Sequence, residues 1–164
     1  MIRFNGAGII LALLLGMLVF SPSVLAAGDG KTLKPSSRDK CPVCGMFVAK
    51  YPDWLSQISF KDGTTFFFDG PKDMLKFYFN LNRYSPKQKV DDIGSAYVTD
   101  YYSLLPIDGF TAFYVVGSDV YGPMGRELIP FGKSQEATEF KRDHKGREIL
   151  KFQDITPAVV KGLD

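Results

Sequence analysis

The residues most able to do chemistry lie in Cys41-Pro42-Val43-Cys44-Gly45-Met46, a stretch that holds both cysteines of the chain. Thiolate and thioether sulfur are soft donors, which suit Cu(I) and serve Mg or Ca poorly. A further candidate, Met124, stands in Gly122-Pro123-Met124-Gly125, a turn whose glycines leave room for a metal or partner to approach. A thiol must lose its proton to bind, whereas a thioether stays neutral at any pH. Mixing the two types would keep Cu(I) bound and still releasable. The expected site is therefore one Cu(I) at low coordination number, held by Met124 with sulfur from Cys41, Cys44 and Met46.

The same pair admits other chemistries. Cys-x-x-Cys serves thiol-disulfide oxidoreductases, but those place the first cysteine at a helix N-terminus, which lowers its pKa. Here Gly45 and the strand-favouring Phe47-Val48 follow instead. A structural zinc site needs four ligands, and two Cys with the single His144 give three. A monomeric zinc site would need an Asp or Glu as well, and a dimer sharing both cysteine pairs would also reach four. A disulfide between Cys41 and Cys44 closes too short a loop to stabilise the chain much, although an oxidised pair remains open in an exported protein.

Several tempting residues have plainer readings. Met46 could be core packing, since Met fills irregular gaps. Met74 falls at helical spacing among aromatics and reads as core, and Trp54 as packing over a sheet or an edge contact. His144 precedes Lys145-Gly146 and reads as a helix C-cap. Asp69 reads as an acid at a helix N-terminus, and Asp91-Asp92 as a solvated loop. No Ser-His-Asp order or paired acid suggests hydrolysis, and with copper carriage preferred to the thiol-disulfide alternative the chain reads as a binding protein and not an enzyme.

The elements that must position these residues follow from pattern. Phe47 to Lys50 and Trp54 to Phe60 are strand candidates, Lys61-Asp62-Gly63 a hairpin turn, and Thr64 to Phe68 the returning strand. Asp69-Gly70-Pro71 opens a helix with Met74, Phe77, Tyr78 and Leu81 on one apolar face. A polar connection from Asn82 to Ser95 leads to a strand over Ala96 to Ser103. The order then recurs: strands at Thr111 to Val116 and Glu127 to Phe131, a helix capped by Ser134 bearing Ala137 and Phe140, and a last strand at Glu148 to Phe152. The expected class is α+β, with two related ββαβ units at 41–103 and 104–164.

Arg3 and the apolar run from Gly8 to Phe20, followed by Val24-Leu25-Ala26, read as a signal peptide over 1–26 with cleavage before Ala27; an uncleaved anchor is the lesser alternative, because the run is shorter than the ~20 residues that span a bilayer. A flexible polar leader over 27–40 would follow. In the whole chain, 20 basic residues face 18 acidic ones for a formal charge of +2, spread too evenly to hold a nucleic-acid backbone.

Taken together, Cys41-Pro-Val-Cys44-Gly-Met46-Phe47, the Phe67-Phe68-Asp69-Gly70 corner, Tyr114-Val-Val-Gly-Ser-Asp119 and Gly122-Pro-Met-Gly125 with Leu128-Ile-Pro-Phe131 resemble the NosL family. The resemblance runs from about Lys40 to Thr156 and lies in the joint order of the motifs. It implies a periplasmic Cu(I) carrier of two ββαβ halves, a fold also similar to part of organomercurial lyase. It implies partners too: nitrous oxide reductase, and an ABC-type membrane assembly. Many relatives end their signal in a lipobox, but here Leu25-Ala26-Ala27 is followed by Gly28, so no lipid anchor is expected and the mature chain should be soluble. After Gly125, Arg126 stands where some relatives carry a His, and arginine cannot ligate copper.

Overall fold

The computed structural model describes residues 32–164 together with Met1. The expected signal segment, its cleavage point and the first part of the leader lie outside the described residues. Eleven regular elements follow in the order β1 (Ser56–Phe60), β2 (Thr65–Phe68), α1 (Pro71–Phe79), α2 (Leu81–Tyr84), β3 (Ile93–Thr99), β4 (Pro106–Asp108), β5 (Phe113–Gly122), β6 (Gly125–Phe131), α3 (Ser134–Asp143), β7 (Glu148–Lys151) and α4 (Pro157–Lys161).

They build two antiparallel sheets, ordered β2-β1-β3-β4 and β6-β5-β7. In each, the first strand of a ββαβ unit is central, its hairpin partner lies on one side, and the strand after the helix lies on the other. The chain is α+β with the expected repeat, and β4 extends the first sheet by pairing Val98 with Ile107. The repeat is legible because both units share one alternation of buried strands and a helix with one apolar face.

Alternation along β5 joins the halves. Val115 packs with Ile129, Phe131, Ala137 and Phe140 beneath α3. Tyr114, Val116 and Leu128 point the other way, into the core that holds Ile58, Phe68, Met74, Leu75 and Phe77. Successive residues of a strand face opposite sides, so the second sheet is buried on both faces. Helix α1 packs against β1 and β2 and also against β6. Met74 is fully buried, as its helical spacing required.

Local boundaries differ from the sequence expectation for identifiable reasons. Val48–Lys50 is a 3₁₀ turn and not a strand, because Tyr51 N–H turns back to the Val48 carbonyl. A second 3₁₀ turn at Pro52–Trp54 delays β1 to Ser56. Strand β3 begins at Ile93 and stops at Thr99, where the Asp100 carboxylate draws the chain into a turn by accepting the Tyr102 and Ser103 N–H groups. Strand β5 continues past Val116 through an irregularity to Gly122. Ser134 is the first residue of α3 and not its cap; Lys133 holds that position without a side-chain bond. His144 is the C-cap, its N–H on the Phe140 carbonyl at 2.8 Å, and its ring stacks on Phe140 while Nδ1 meets Asp119 at 3.1 Å. The residues from 32 onward run against the fold, with the Leu33 N–H donating to Gln57 Oε1 at 2.9 Å.

Candidate metal centre

Cys41 and Cys44 sit on a tight loop. Lys40 and Phe47 form an isolated antiparallel bridge, and the Cys41 N–H donates to the Met46 carbonyl at 2.9 Å. Inside it the Gly45 N–H returns to the Cys41 carbonyl, also at 2.9 Å. Gly45 takes φ +81° with nothing near its α-carbon, so the left-handed backbone, and not crowding, is what calls for glycine there.

The loop delivers both thiols to the start of α1. Pro71 is the first residue of that helix, where a missing N–H costs little. Asp69 and Asp73 lie four apart across this start. Cys41 Sγ donates to Asp73 Oδ2 at 3.4 Å, and Cys44 Sγ to Asp69 Oδ1 at 3.2 Å. One ligand atom from each of Cys41, Cys44, Asp69 and Asp73 falls within 4.8 Å of all the others. Asp69 is buried, and its Oδ2 has no hydrogen-bond partner. A desolvated carboxylate oxygen without a partner is costly, and a cation would satisfy it.

The electrostatics hold the thiols protonated. Burial pushes the Cys41 thiol up to about 12, and the carboxylates of Asp69 and Asp73 add to that, against opposing backbone N–H bonds. Burial raises Cys44 as well, again reinforced by both aspartates. Such a pair is a poor nucleophile at neutral pH. A bound cation reverses the logic, because its charge favours thiolate and carboxylate together.

Behind the cluster lies a second polar layer. Glu127 on β6 is buried, and its Oε1 accepts the Lys72 N–H at 2.6 Å and the Leu128 N–H at 2.9 Å. Gly70 permits this approach, since a Cβ there would collide with Glu127 Oε2. Desolvation is the main cause that raises the Glu127 carboxyl to about 8, with the two N–H bonds opposing it. The Lys72 side chain, itself buried, donates from Nζ to the Met124 carbonyl at 2.7 Å and the Leu163 carbonyl at 3.3 Å.

The four sulfur residues expected from sequence are thus placed differently. Cys41 and Cys44 meet in one cluster. Met46 is half-buried, and its backbone closes the cysteine loop. Met124 occupies the β5–β6 turn, 43% exposed, and is tied to the residue before Asp73 through the Lys72 bond. Asp69 and Asp73 were not foreseen as site residues. Asp69 does precede the helix, but Gly70 is the N-cap and no side chain caps it; the Asp69 carboxylate faces Cys44 instead. Their four-residue spacing at a helix start was the available signal, and nothing in it points to residue 41. His144 joins no such cluster among the described residues.

The NosL family model matches residues 32–160. This chain belongs to the NosL family. It is 30% identical over 165 residues to the copper-binding lipoprotein NosL of Stutzerimonas stutzeri, with 95% of this chain and 83% of that protein covered. The crystal structure of the copper chaperone NosL from Shewanella denitrificans superposes with a TM-score of 0.66 at 24% identity, covering 78% of this chain and 97% of that one. The solution structure of apo-NosL from Achromobacter cycloclastes gives a TM-score of 0.46 at 30% identity, over 64% and 87% of the two chains. The NosL relatives are thus named as a copper-binding protein and a copper chaperone, not as enzymes.

Proposed function

We propose that this NosL chain is an exported, periplasmic Cu(I) carrier that loads copper at the Cys41–Cys44 loop and delivers it for assembly of a cuproenzyme, nitrous oxide reductase. The observation that carries the proposal is the convergence of two thiols and two carboxylates within 4.8 Å at the start of α1. Cu(I) prefers the sulfur. Cys41 and Cys44 form the thiolate part of the site, and Met46 and Met124 supply thioether sulfur from the loop itself and from the exposed β5–β6 turn. Asp69 and Asp73 act on the thiols: their carboxylates accept the S–H bonds and so favour the protonated thiols, which regain their protons when copper leaves and make release favourable. An exposed Met124 lets an acceptor compete for the ion at one edge. An ABC-type membrane complex is the proposed aid to delivery, and no lipid anchor is required.

The cluster also supports a second reading. Two thiolates with two carboxylates complete a four-coordinate set inside one chain, and Zn(II) accepts both ligand types. The oxidoreductase reading has less support, because the thiols are raised where catalysis needs them lowered. A transfer experiment tests the proposed function. The Cu(I)-loaded chain is incubated anaerobically with copper-free nitrous oxide reductase, and the copper in each is counted after separation. Copper should move to the reductase faster than from a small Cu(I) chelate of equal affinity. Equal rates would contradict a delivery role.

A further inference from the structure

A loop remote in sequence from the cysteines holds leucine side chains in solvent. Among the described residues, Leu104 is 53% and Leu105 62% exposed, on the connection from β3 to β4. Leu104 has φ +56°, a conformation that L side chains rarely adopt. The loop is nonetheless firmly tied. The Asp100 carboxylate accepts the Tyr102 and Ser103 N–H groups and the Ser103 hydroxyl through Oδ1, and the Gly132 N–H through Oδ2 at 2.7 Å. The Asp100 N–H meets the Leu105 carbonyl and the Leu104 N–H meets the Asp100 carbonyl, both at 2.9 Å. Strain and solvent exposure both oppose such an arrangement, and neither contributes to the core. Persisting strain of this kind, fixed by its surroundings, marks a functional surface.

The neighbourhood indicates what covers it. Leu104 and Pro106 line a hollow of about 250 Å³ together with Leu33, Lys34, Leu55 and Thr99. Leu33 is itself exposed, and its backbone is fixed to Gln57 on β1. The described chain therefore reaches this hollow from its N-terminal side at residues 32–34. Between 32 and 40 the chain carries Lys34, Arg38 and Lys40 against Asp39 alone. Exposed leucines beside a cationic segment are the two parts of an interfacial membrane contact: apolar side chains enter the headgroup boundary and the cations meet anionic lipid. Glu136, Glu139 and Asp143 of α3 lie near Tyr102, so the side of the loop that faces α3 is acidic, whereas Leu104 lines the hollow with Leu33 and Lys34.

We propose that the exposed leucines Leu33, Leu104 and Leu105, with the cations Lys34, Arg38 and Lys40 of the described N-terminal segment, rest on an anionic bilayer surface. This contact belongs to the folded part of the chain and is independent of the copper reading.

The test uses the mature chain from Ala27 onward with Leu105→Trp in a Trp54→Phe background, mixed with phosphatidylcholine vesicles containing phosphatidylglycerol, with part of the lipid brominated near the headgroup end of its acyl chains. Flotation first shows whether the chain is on the vesicles, and a chain that stays in solution at low salt would overturn the proposal. Half or more of the indole fluorescence should then be quenched. The quenching should fall at high salt, and also on adding Lys34→Glu. A matching reporter, Tyr121→Trp on the β5–β6 turn, should keep its fluorescence. Vesicle-bound chain with an unquenched reporter at 105 would overturn the proposal, leaving a protein as what covers this face. Equal quenching at both positions, or in purely zwitterionic vesicles, would overturn it as well.

Discussion

Cys41 and Cys44 are poised as acids that give up protons only to a metal. With Cys41 pushed up to about 12 and Cys44 raised too, both thiols are protonated at neutral pH, and each proton must leave when Cu(I) binds. Rising pH therefore favours loading, by about tenfold per unit for each thiol displaced. A competition titration from about pH 7 to about pH 10 should show the affinity climbing without a plateau, whereas an unperturbed cysteine pair would level above its pKa of about 8.5. Asp73→Asn separates the two metal readings. Losing that carboxylate lowers the cost of the neighbouring thiolates, so Cu(I) affinity at neutral pH should hold or rise. Zn(II) affinity should fall by about tenfold or more, because a ligand is gone. A parallel fall for both metals would make Asp73 a copper ligand. At this scale the sequence was half legible. Soft sulfur at two-residue spacing announced the metal chemistry, but Asp69 read as an ordinary helix-start acid and Asp73 drew no reading, since only tertiary contact brings residues 69 and 73 to the cysteines.

Helix α1 and strand β6 form the unit that holds the cluster in place. Glu127 lies buried against the start of the helix, and its carboxyl is raised from 4.5 to about 8, chiefly by desolvation. A group with a raised folded-state pKa contributes stability that is complete below the unfolded value of 4.5 and is lost as pH rises through about 8. The wild-type chain should lose stability across that window by an amount on the order of a few kcal/mol. Glu127→Gln keeps an acceptor for the Lys72 and Leu128 N–H groups and carries no charge. Denaturant unfolding of this variant should vary much less with pH over the same window, and it should exceed the wild type in stability at alkaline pH. Identical pH profiles would mean that Glu127 is not desolvated. Elements of this kind were legible wherever hydrophobic period and capping agreed: α1 starts at Pro71 and buries Met74 and Phe77 as expected. They were illegible where backbone bonding overrode propensity, as at Phe47-Val48, a β-favouring pair that leads into the 3₁₀ turn Val48–Lys50.

At the scale of the whole molecule, the two ββαβ halves share one core through β5 and β6, and this sharing connects the two sulfur-bearing turns. The cysteine loop leans on α1, α1 leans on β6, and the β5–β6 turn with Met124 is tied back to α1 by Lys72. The repeat was visible in the sequence because both units reuse one order of elements. How they interlock was not, because the two faces of β5 are equally apolar in Tyr114, Val115 and Val116, and period alone cannot say which partner each face meets. The central claim is a single Cu(I) site built on the cysteine loop and completed from the second half. Anaerobic Cu(I) titration of the reduced chain against a competing chelator tests it most directly, with Cys41→Ser/Cys44→Ser and Met124→Ala alongside. The account predicts one copper per chain, near-complete loss of binding in the cysteine variant and a weakening of about tenfold in the methionine variant. Parent-like copper affinity in the cysteine variant would contradict it.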